Sequence, residues 1–600
     1  MSEITFLPDN IKTHFPQGAS LLDAARSIGI FVETPCGGEG SCKKCLVKIT
    51  QNNETREALI CRTAVPDESI TVELKQLTDS GKTQDSYLKD IAFIPDGLSC
   101  ENSEAFIKKI KLKVAPAAPL DGLSDADRFT RAFKREAECA FIELPLSVLS
   151  CLPERLREAE GEIIFIYFTD NNIAKVINIF SAGNEQKIYC AAVDIGTTTV
   201  SLLLTDLEDK KVLVTRNAYN SQVECALDII GRINYAKKNL NELRARILKT
   251  VNELISDACG EIKIEPSEIL FVSLAGNTVM THIFLGIIPE YIRLSPYTPA
   301  VFQPQIYTAQ QTGLKVCENA PLLFAPCVGS YVGGDITAGL LCTELASEPK
   351  DDDSSPGELI LFIDIGTNGE IVLGSRDFIF ACACSAGPAF EGGGIKHGMR
   401  ACPGAIEKVI IKNGKPQIFT IGNAPPIGIC GSGVISVAAE LFKNGIIDSA
   451  GKFSQKTFEY ILCEGSPGKQ KITISEADID NFIRAKGAVF SACQTLLESV
   501  EMSFSNLDKI YVAGGFGRFL NLEDARTIGL LPRIADEKYT FLGNSSALGA
   551  YLTLISEEYR NKQLKLAKRI TYVDLSSEPR YMDYYTGALF LPHTDKKLFE

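Results

Sequence analysis

Apolar and polar residues are spaced along the chain in a way that predicts several separate units. Ile4-Thr5-Phe6-Leu7-Pro8 followed by His14-Phe15 predicts a short hairpin. Ser20-Leu21-Leu22-Asp23-Ala24-Ala25-Arg26 predicts a serine-capped helix whose apolar positions suit it to lie on a sheet. Cys45-Leu46-Val47-Lys48-Ile49 and Ser69-Ile70-Thr71-Val72-Glu73-Leu74 read as strands. Residues 1–78 are therefore expected to form a small β-rich domain. Residues 79–104 are polar and read as a linker. Residues 105–187 alternate strand-like and helix-like pieces, among them Lys109-Ile110-Lys111-Leu112-Lys113-Val114 and Gly161-Glu162-Ile163-Ile164-Phe165-Ile166-Tyr167-Phe168. They predict a small α/β middle domain.

From residue 188 the pattern changes. Ala192-Val193-Asp194-Ile195-Gly196-Thr197-Thr198-Thr199-Val200 is echoed by Phe362-Ile363-Asp364-Ile365-Gly366-Thr367-Asn368-Gly369-Glu370-Ile371. Each segment is an apolar strand ending in Asp, then a Gly-Thr turn, then a second strand. Two copies so far apart predict a duplicated α/β half, not a short-period solenoid.

The chain has 600 residues, of which 45% are hydrophobic and 23% charged. That suits a soluble globular chain with several cores. The formal net charge of −14 argues against a nucleic-acid partner. Met1-Ser2-Glu3-Ile4-Thr5-Phe6 has neither the basic nor the apolar region of a signal peptide, and no apolar run is long enough to span a bilayer. Nineteen scattered cysteines point to reduced thiols. Together these predict a cytoplasmic protein.

Four of those cysteines carry the first chemical signal. Cys36, Cys42 and Cys45 form C-x5-C-x2-C, and Cys61 follows 16 positions after Cys45. A [2Fe–2S] cluster needs several thiolates converging from one loop, and Gly37, Gly38 and Gly40 allow such a wrap. A structural zinc site would more usually come as two C-x2-C pairs, and only one is present here. The cysteine spacing and the order of elements resemble β-grasp [2Fe–2S] ferredoxins of the adrenodoxin-like kind.

The second signal is the repeated turn. Glycine lets a phosphate approach the backbone, threonine hydroxyls add donors, and a strand-end aspartate can hold Mg²⁺ through its waters. One such turn is weak evidence; two that face each other can clamp a polyphosphate. Lys509-Ile510-Tyr511-Val512-Ala513-Gly514-Gly515-Phe516-Gly517 adds an apolar strand running into glycines, against which a base and ribose could lie. In this order the three elements resemble the two phosphate motifs and the adenosine motif of the acetate/sugar kinase, Hsp70 and actin (ASKHA) superfamily, a duplicated RNase H-like fold.

The resemblance narrows further. With the cysteine loop, the segments Ala275-Gly276-Asn277-Thr278-Val279-Met280-Thr281-His282, Tyr331-Val332-Gly333-Gly334-Asp335, Ser385-Ala386-Gly387-Pro388-Ala389-Phe390-Glu391-Gly392, Ala485-Lys486-Gly487-Ala488 and Gly543-Asn544-Ser545-Ser546-Ala547-Leu548-Gly549-Ala550 resemble the reductive activators of corrinoid proteins. These join a ferredoxin domain to an ASKHA ATPase. The one departure is Asn220-Ser221-Gln222 through Arg232, where Asn-Pro-Gln and a glycine near Ala226 are expected.

The resemblance implies an α/β multidomain chain whose residues 188–600 form the ASKHA domain, in halves of about 188–355 and 356–600. It implies one-electron, ATP-dependent reduction of a Co(II) corrinoid protein to Co(I) in anaerobic methyl-transfer or O-demethylation metabolism. It also implies a low-potential donor such as a ferredoxin or flavodoxin, and a homodimer. The implied cofactors are a [2Fe–2S] cluster on Cys36, Cys42, Cys45 and Cys61, with ATP and Mg²⁺. Gly196, Thr197, Thr198, Gly366, Thr367, Asn368, Gly514 and Gly515 would bind nucleotide, and Asp194, Asp364 and Glu391 would act in catalysis. Plant-type clusters sit near about −400 mV, and the cobalt step is expected to demand more, hence the ATP.

Other candidates carry less. His282 and His397 could be ligands but read more readily as structural, and His14 and His593 as solvated. Cys382, Cys384, Cys402 and Cys430 could form a second cluster but read as small hydrophobes. Asp335 could hold Mg²⁺ or cap a helix. Lys43 and Lys44 read as solvated, and Asp351-Asp352-Asp353 as a surface loop. The alternatives to an activase are a redox-switched small-molecule kinase and an ATP-regulated electron carrier or sensor. An activator of 2-hydroxyacyl-CoA dehydratases is disfavoured, because those lack a ferredoxin domain.

Overall fold

The computed structural model describes residues 1–7, 11–28, 32, 45–52, 54–74, 103–119, 121–136, 141–182, 187–347, 357–455, 457–464, 471–514 and 520–599. Near the N-terminus, five strands form a mixed sheet in the order Ile11–Phe15, Ser2–Leu7, Ile70–Glu73, Leu46–Gln51, Glu54–Leu59. Ser2–Leu7 alternates strictly, with Ile4 and Phe6 buried and Glu3 and Thr5 outward. The helix Leu21–Ser27 lays Leu21, Leu22, Ala24 and Ala25 on that face. The Ser20 hydroxyl caps it by accepting from the Leu22 amide at 3.1 Å. This is the β-grasp arrangement.

The next unit is a four-stranded sheet ordered Ile107–Lys113, Glu162–Asp170, Ile173–Ser181, Phe141–Glu143. Two helices, Asp125–Glu136 and Leu146–Glu158, cover one face of it. Its central strand turns Ile163, Phe165 and Tyr167 to those helices and Ile166 and Phe168 to the following sheet. Phe106 seals that junction, its ring centroid 5.4 Å from Phe271.

Two six-stranded sheets follow, built on one plan. The first runs Lys211–Tyr219, Thr199–Asp206, Tyr189–Ile195, Ile269–Gly276, Pro321–Phe324, Tyr307–Thr308. The second runs Tyr539–Gly543, Lys509–Ala513, Ile360–Ile365, Gly369–Gly374, Ile379–Cys384, Ile570–Tyr572. In each, three antiparallel strands form a meander and two parallel strands extend it from the strand that ends in Asp.

After the last parallel strand of each plan comes a helix, Gly334–Gly339 in one case and Ser545–Ile555 in the other. These two helices cross between the sheets. A Cβ on Gly549 would stand 1.9 Å from the Ala338 carbonyl, so the crossing requires glycine there. Ser545–Ile555 buries its apolar residues in the same core as the first sheet, so the chain returns from the second sheet to cover the first. Among the described residues no helix is long and apolar enough to cross a membrane.

Candidate functional site

Two of the four ferredoxin cysteines lie among the described residues. Cys45 precedes the strand Leu46–Gln51, and Cys61 lies on the 3₁₀ turn Ile60–Arg62. The Ile60 amide donates to the Cys45 carbonyl at 3.0 Å, which ties the two segments together. Their Sγ atoms are 3.1 Å apart, far longer than a disulfide bond. Two cysteine sulfurs this close together fit ligands of one metal–sulfur group. Cys36, Cys42, Lys43 and Lys44 lie outside the described residues.

The two Asp-Gly-Thr turns face each other across the gap between the large sheets. The Thr198 and Thr367 hydroxyls are 2.7 Å apart, and Thr367 Oγ1 also donates to Glu391 Oε2 at 3.0 Å. In the first turn a Cβ on Gly196 would lie 2.4 Å from the Thr199 carbonyl, so no larger residue fits. Around Gly366 a Cβ would meet Asn368 O and Glu391 Oε1, each at 3.8 Å, so Glu391 lies directly beside this turn. Gly514 has φ +95° and its absent Cβ would crowd Ile365 O and Asp364 Oδ1, which brings the third motif against the second turn. Gly515 lies outside the described residues.

Asp194 is held from the opposite half. Its Oδ2 accepts from Asn544 Nδ2 at 3.0 Å and its Oδ1 from Ser546 Oγ at 2.9 Å. Asn544 also caps Ser545–Ile555 by accepting from the Ala547 amide. The crossing helix thus presents its N-terminus to the aspartate of the first sheet, which favours negative charge there. Asp335, in the first turn of the other crossing helix, is close enough for its charge to act on Asp364. Across the ladder from Asp364 stands Glu370, only 6% exposed; the equivalent place opposite Asp194 holds Ser201.

The carboxyls in this gap are raised by burial first and by one another second. Burial, joined by the charge of Asp194, raises Asp335 to about 7. Burial, then the charges of Asp335, Asp194 and Glu391, raises Asp364 to about 8. Glu370 is pushed well above its ordinary range by burial and by Asp335 and Asp364. Burial raises Asp194 too, against the hydrogen bonds from Asn544 and Ser546. Such a set favours a divalent cation. Among the described residues no three acidic, histidine or cysteine side chains are gathered tightly enough to grip one directly. That arrangement fits an ion held through water and phosphate.

Behind the first turn lies the segment whose sequence departs from the expected pattern. Asn220 Nδ2 donates to the Gly196 carbonyl at 2.9 Å, and the Asn220 amide donates to Thr198 O at 2.9 Å. Arg232 is fully buried; it donates to the Thr197 carbonyl, to Ala226 O at 3.2 Å and to Gln222 Oε1 at 2.9 Å. Burial lowers its pKa to about 9. Asn220, Gln222 and Arg232 therefore fix the shape of the turn despite the missing proline and glycine. A buried arginine on backbone carbonyls leaves no motif in the sequence.

His282 is structural. It is buried, with Nδ1 2.7 Å from the Thr278 carbonyl and Nε2 accepting from the Ala300 amide at 3.1 Å, so both ring nitrogens are occupied. His397 is half-buried, and burial lowers its pKa. His14 is exposed as expected. His593, expected in solvent, is instead only 7% exposed and packs 5.5 Å from the Phe490 ring, because the C-terminal segment folds back over Glu476–Ser499. Burial also pushes up the Cys382, Cys384, Cys402 and Cys430 thiols, and among the described residues none of these four belongs to a group of three or more metal-ligating side chains. Asp351-Asp352-Asp353 lies outside the described residues.

Comparison with known proteins bears on the whole arrangement. Residues 4–66 match the 2Fe-2S iron-sulfur cluster binding domain, 189–348 the RACo middle region, and 358–600 the C-terminal, ASKHA domain of RACo. The corrinoid activation enzyme RamQ of Eubacterium limosum is 30% identical over 593 residues, covering 95% of each chain. A Methanosarcina barkeri reductase named for a Co(II) methylated amine-specific corrinoid protein is 25% identical over 67% of this chain and 77% of its own. A solved reductive activator for a corrinoid, iron-sulfur protein is 37% identical, covers all of both chains and superposes with a TM-score of 0.75.

Proposed function

The chain belongs to the family of ferredoxin-linked ATPases that reductively activate corrinoid proteins, and from that membership we propose that it reduces a Co(II) corrinoid protein to Co(I) by one electron, coupled to ATP hydrolysis. One observation carries the reading: a single chain holds both a pair of adjoining cysteine sulfurs and a two-sided turn clamp lined with carboxyls. An electron carrier alone needs no clamp, and a kinase alone needs no thiols.

Cys36, Cys42, Cys45 and Cys61 would hold the [2Fe–2S] cluster, which when bound supplies a single electron at low potential. Gly196, Thr197 and Thr198 would grip the ATP phosphates from one side, and Gly366, Thr367 and Asn368 from the other. Gly514 and Gly515 would form the floor under the adenosine. Asp194 and Asp364 would hold Mg²⁺ through its waters, relieving the mutual repulsion that adds to burial in raising Asp335, Asp364 and Glu370. Glu391 lies beside Gly366 and accepts from the Thr367 hydroxyl, from where it would orient the water that attacks the terminal phosphate.

The coupling follows from where these residues sit. Thr198 and Asp194 stand on the first sheet, and Thr367, Asp364 and Glu391 on or beside the second. A nucleotide gripped by both sets fixes the angle between the sheets, and the crossing helices at Ala338 and Gly549 are where they would turn. An acceptor that binds the two states differently is then reduced only in one of them. The corrinoid protein would be the electron acceptor and a ferredoxin, flavodoxin or other low-potential reductant the donor, with two copies of the chain forming a homodimer.

Phosphate release tests this reading. Purified chain with a reconstituted cluster should hydrolyse Mg-ATP faster when a Co(II) corrinoid protein is added than when its Co(I) form is added. Transfer of the phosphoryl group to an added sugar instead of water would contradict it.

A further inference from the structure

Arg400 occupies a place in the cleft that the two turns do not explain. Its guanidinium carbon lies 3.9 Å from the centre of the Tyr219 ring. Tyr219 belongs to the first sheet, where it pairs with Thr199, the residue after the first turn. Arg400 follows the Pro388–Glu391 turn, which belongs with the second sheet. One cation therefore spans the two sides of the clamp.

Its backbone is pinned. Gly398 bridges Ile429, and the Met399 amide donates to the Ile429 carbonyl at 2.8 Å. The Glu391 charge attracts the guanidinium, while Glu391 Oε2 is itself taken up by the Thr367 hydroxyl. Yet Nη1 of Arg400 is buried with no hydrogen-bond partner. A cation–π contact uses only the face of the guanidinium; a buried, unspent N–H on its edge calls for an acceptor. The acceptor that suits a fixed guanidinium beside phosphate turns is an anionic oxygen.

We propose that Arg400 binds the terminal phosphate of a nucleoside triphosphate through its free Nη1–H. The proposal rests on the reading of the cleft as an ATP site. It assigns the discrimination between triphosphate and diphosphate to one residue. A third phosphate brings further negative charge into a gap already lined with acidic groups, and a guanidinium held in place offsets it.

Calorimetric titration of the full chain with Mg²⁺ and either AMP-PNP or ADP tests it, with Arg400→Met and Arg400→Lys beside the wild type. Arg400→Met should weaken AMP-PNP binding about tenfold or more and ADP binding less than about threefold, with Arg400→Lys between. Nucleotide-free melting of each variant separates this from misfolding, and Arg400→Lys keeps the charge if Arg400→Met proves unstable. Equal losses for both nucleotides, or none, overturn the assignment to Arg400 while leaving the ATP site intact. Wild-type protein that binds neither nucleotide overturns the reading of the cleft, and this proposal with it.

Discussion

The Thr198 hydroxyl touches the Thr367 hydroxyl at 2.7 Å, joining two turns that lie 169 positions apart in the chain. Because Thr367 also donates to Glu391, a phosphate entering between the turns must replace one contact and inherits the other. Thr198→Val and Thr367→Val should each weaken Mg-AMP-PNP binding by about five- to fiftyfold, with little change in the melting temperature of the nucleotide-free protein. Calorimetry measures the first and differential scanning the second. Unchanged affinity in both variants would remove the turns from the nucleotide site.

Asp364 gives a pH-dependent test. Its folded pKa is raised to about 8, so between the ordinary aspartate range and that value the folded chain binds more protons than the unfolded one. Stability therefore falls as pH rises across that window, and the penalty is complete above it. Asp364→Asn carries no charge and escapes it. Without Mg²⁺ or nucleotide, the variant should melt above the wild type at about pH 8, and the gap should close towards about pH 5. With Mg-AMP-PNP the order should reverse, because the wild type gains a stabilisation that the variant cannot.

Arg232 should matter although it touches no nucleotide-binding side chain. Its guanidinium ends on the Thr197 and Ala226 carbonyls and on Gln222, in a fork that lysine cannot reproduce. Arg232→Lys should lower nucleotide affinity about tenfold and melt several degrees lower, since buried carbonyls lose their donors. A melting loss with wild-type affinity would show that the turn keeps its shape without the arginine.

Lys486 predicts a trend of opposite sign. It is fully buried, donates to Phe590 O at 2.6 Å and Pro592 O at 2.7 Å, and burial lowers its pKa to about 7. From about 7 up to the ordinary lysine range the unfolded chain binds the extra proton, so this group's contribution to stability improves as pH rises. The difference in melting temperature between wild type and Lys486→Met should grow in the wild type's favour between about pH 7 and pH 10. Parallel curves would place the Lys486 pKa outside that window.

The ferredoxin hairpin, helix and two of its later strands follow from local alternation and capping, as do the strands that end in Asp194 and Asp364. The strand Glu54–Leu59 does not, because both its faces are polar or half-exposed and it pairs only along one edge. The crossing of Gly334–Gly339 over Ser545–Ile555 escapes sequence reading for another reason. It depends on Ala338 meeting Gly549 from more than two hundred positions away, and small residues carry no periodic signal. Asp194 and Asp364 are legible because strand, aspartate and glycine recur together. That Asn544, Ser546 and Arg232 hold the first of those segments in place becomes visible only when the chain is folded. The burial of His593 is not legible, because a lone histidine near a chain end gives no hint of the aromatic residues it packs on.

The most direct measurement follows cobalt absorbance. Cluster-loaded chain, a low-potential reductant and a Co(II) corrinoid protein are mixed with and without Mg-ATP. The structure predicts that the Co(I) band grows only with Mg-ATP and is lost in Cys61→Ser. Growth at the same rate without nucleotide, or with Cys61→Ser in place of the wild type, would contradict the joining of thiol pair and clamp into one machine.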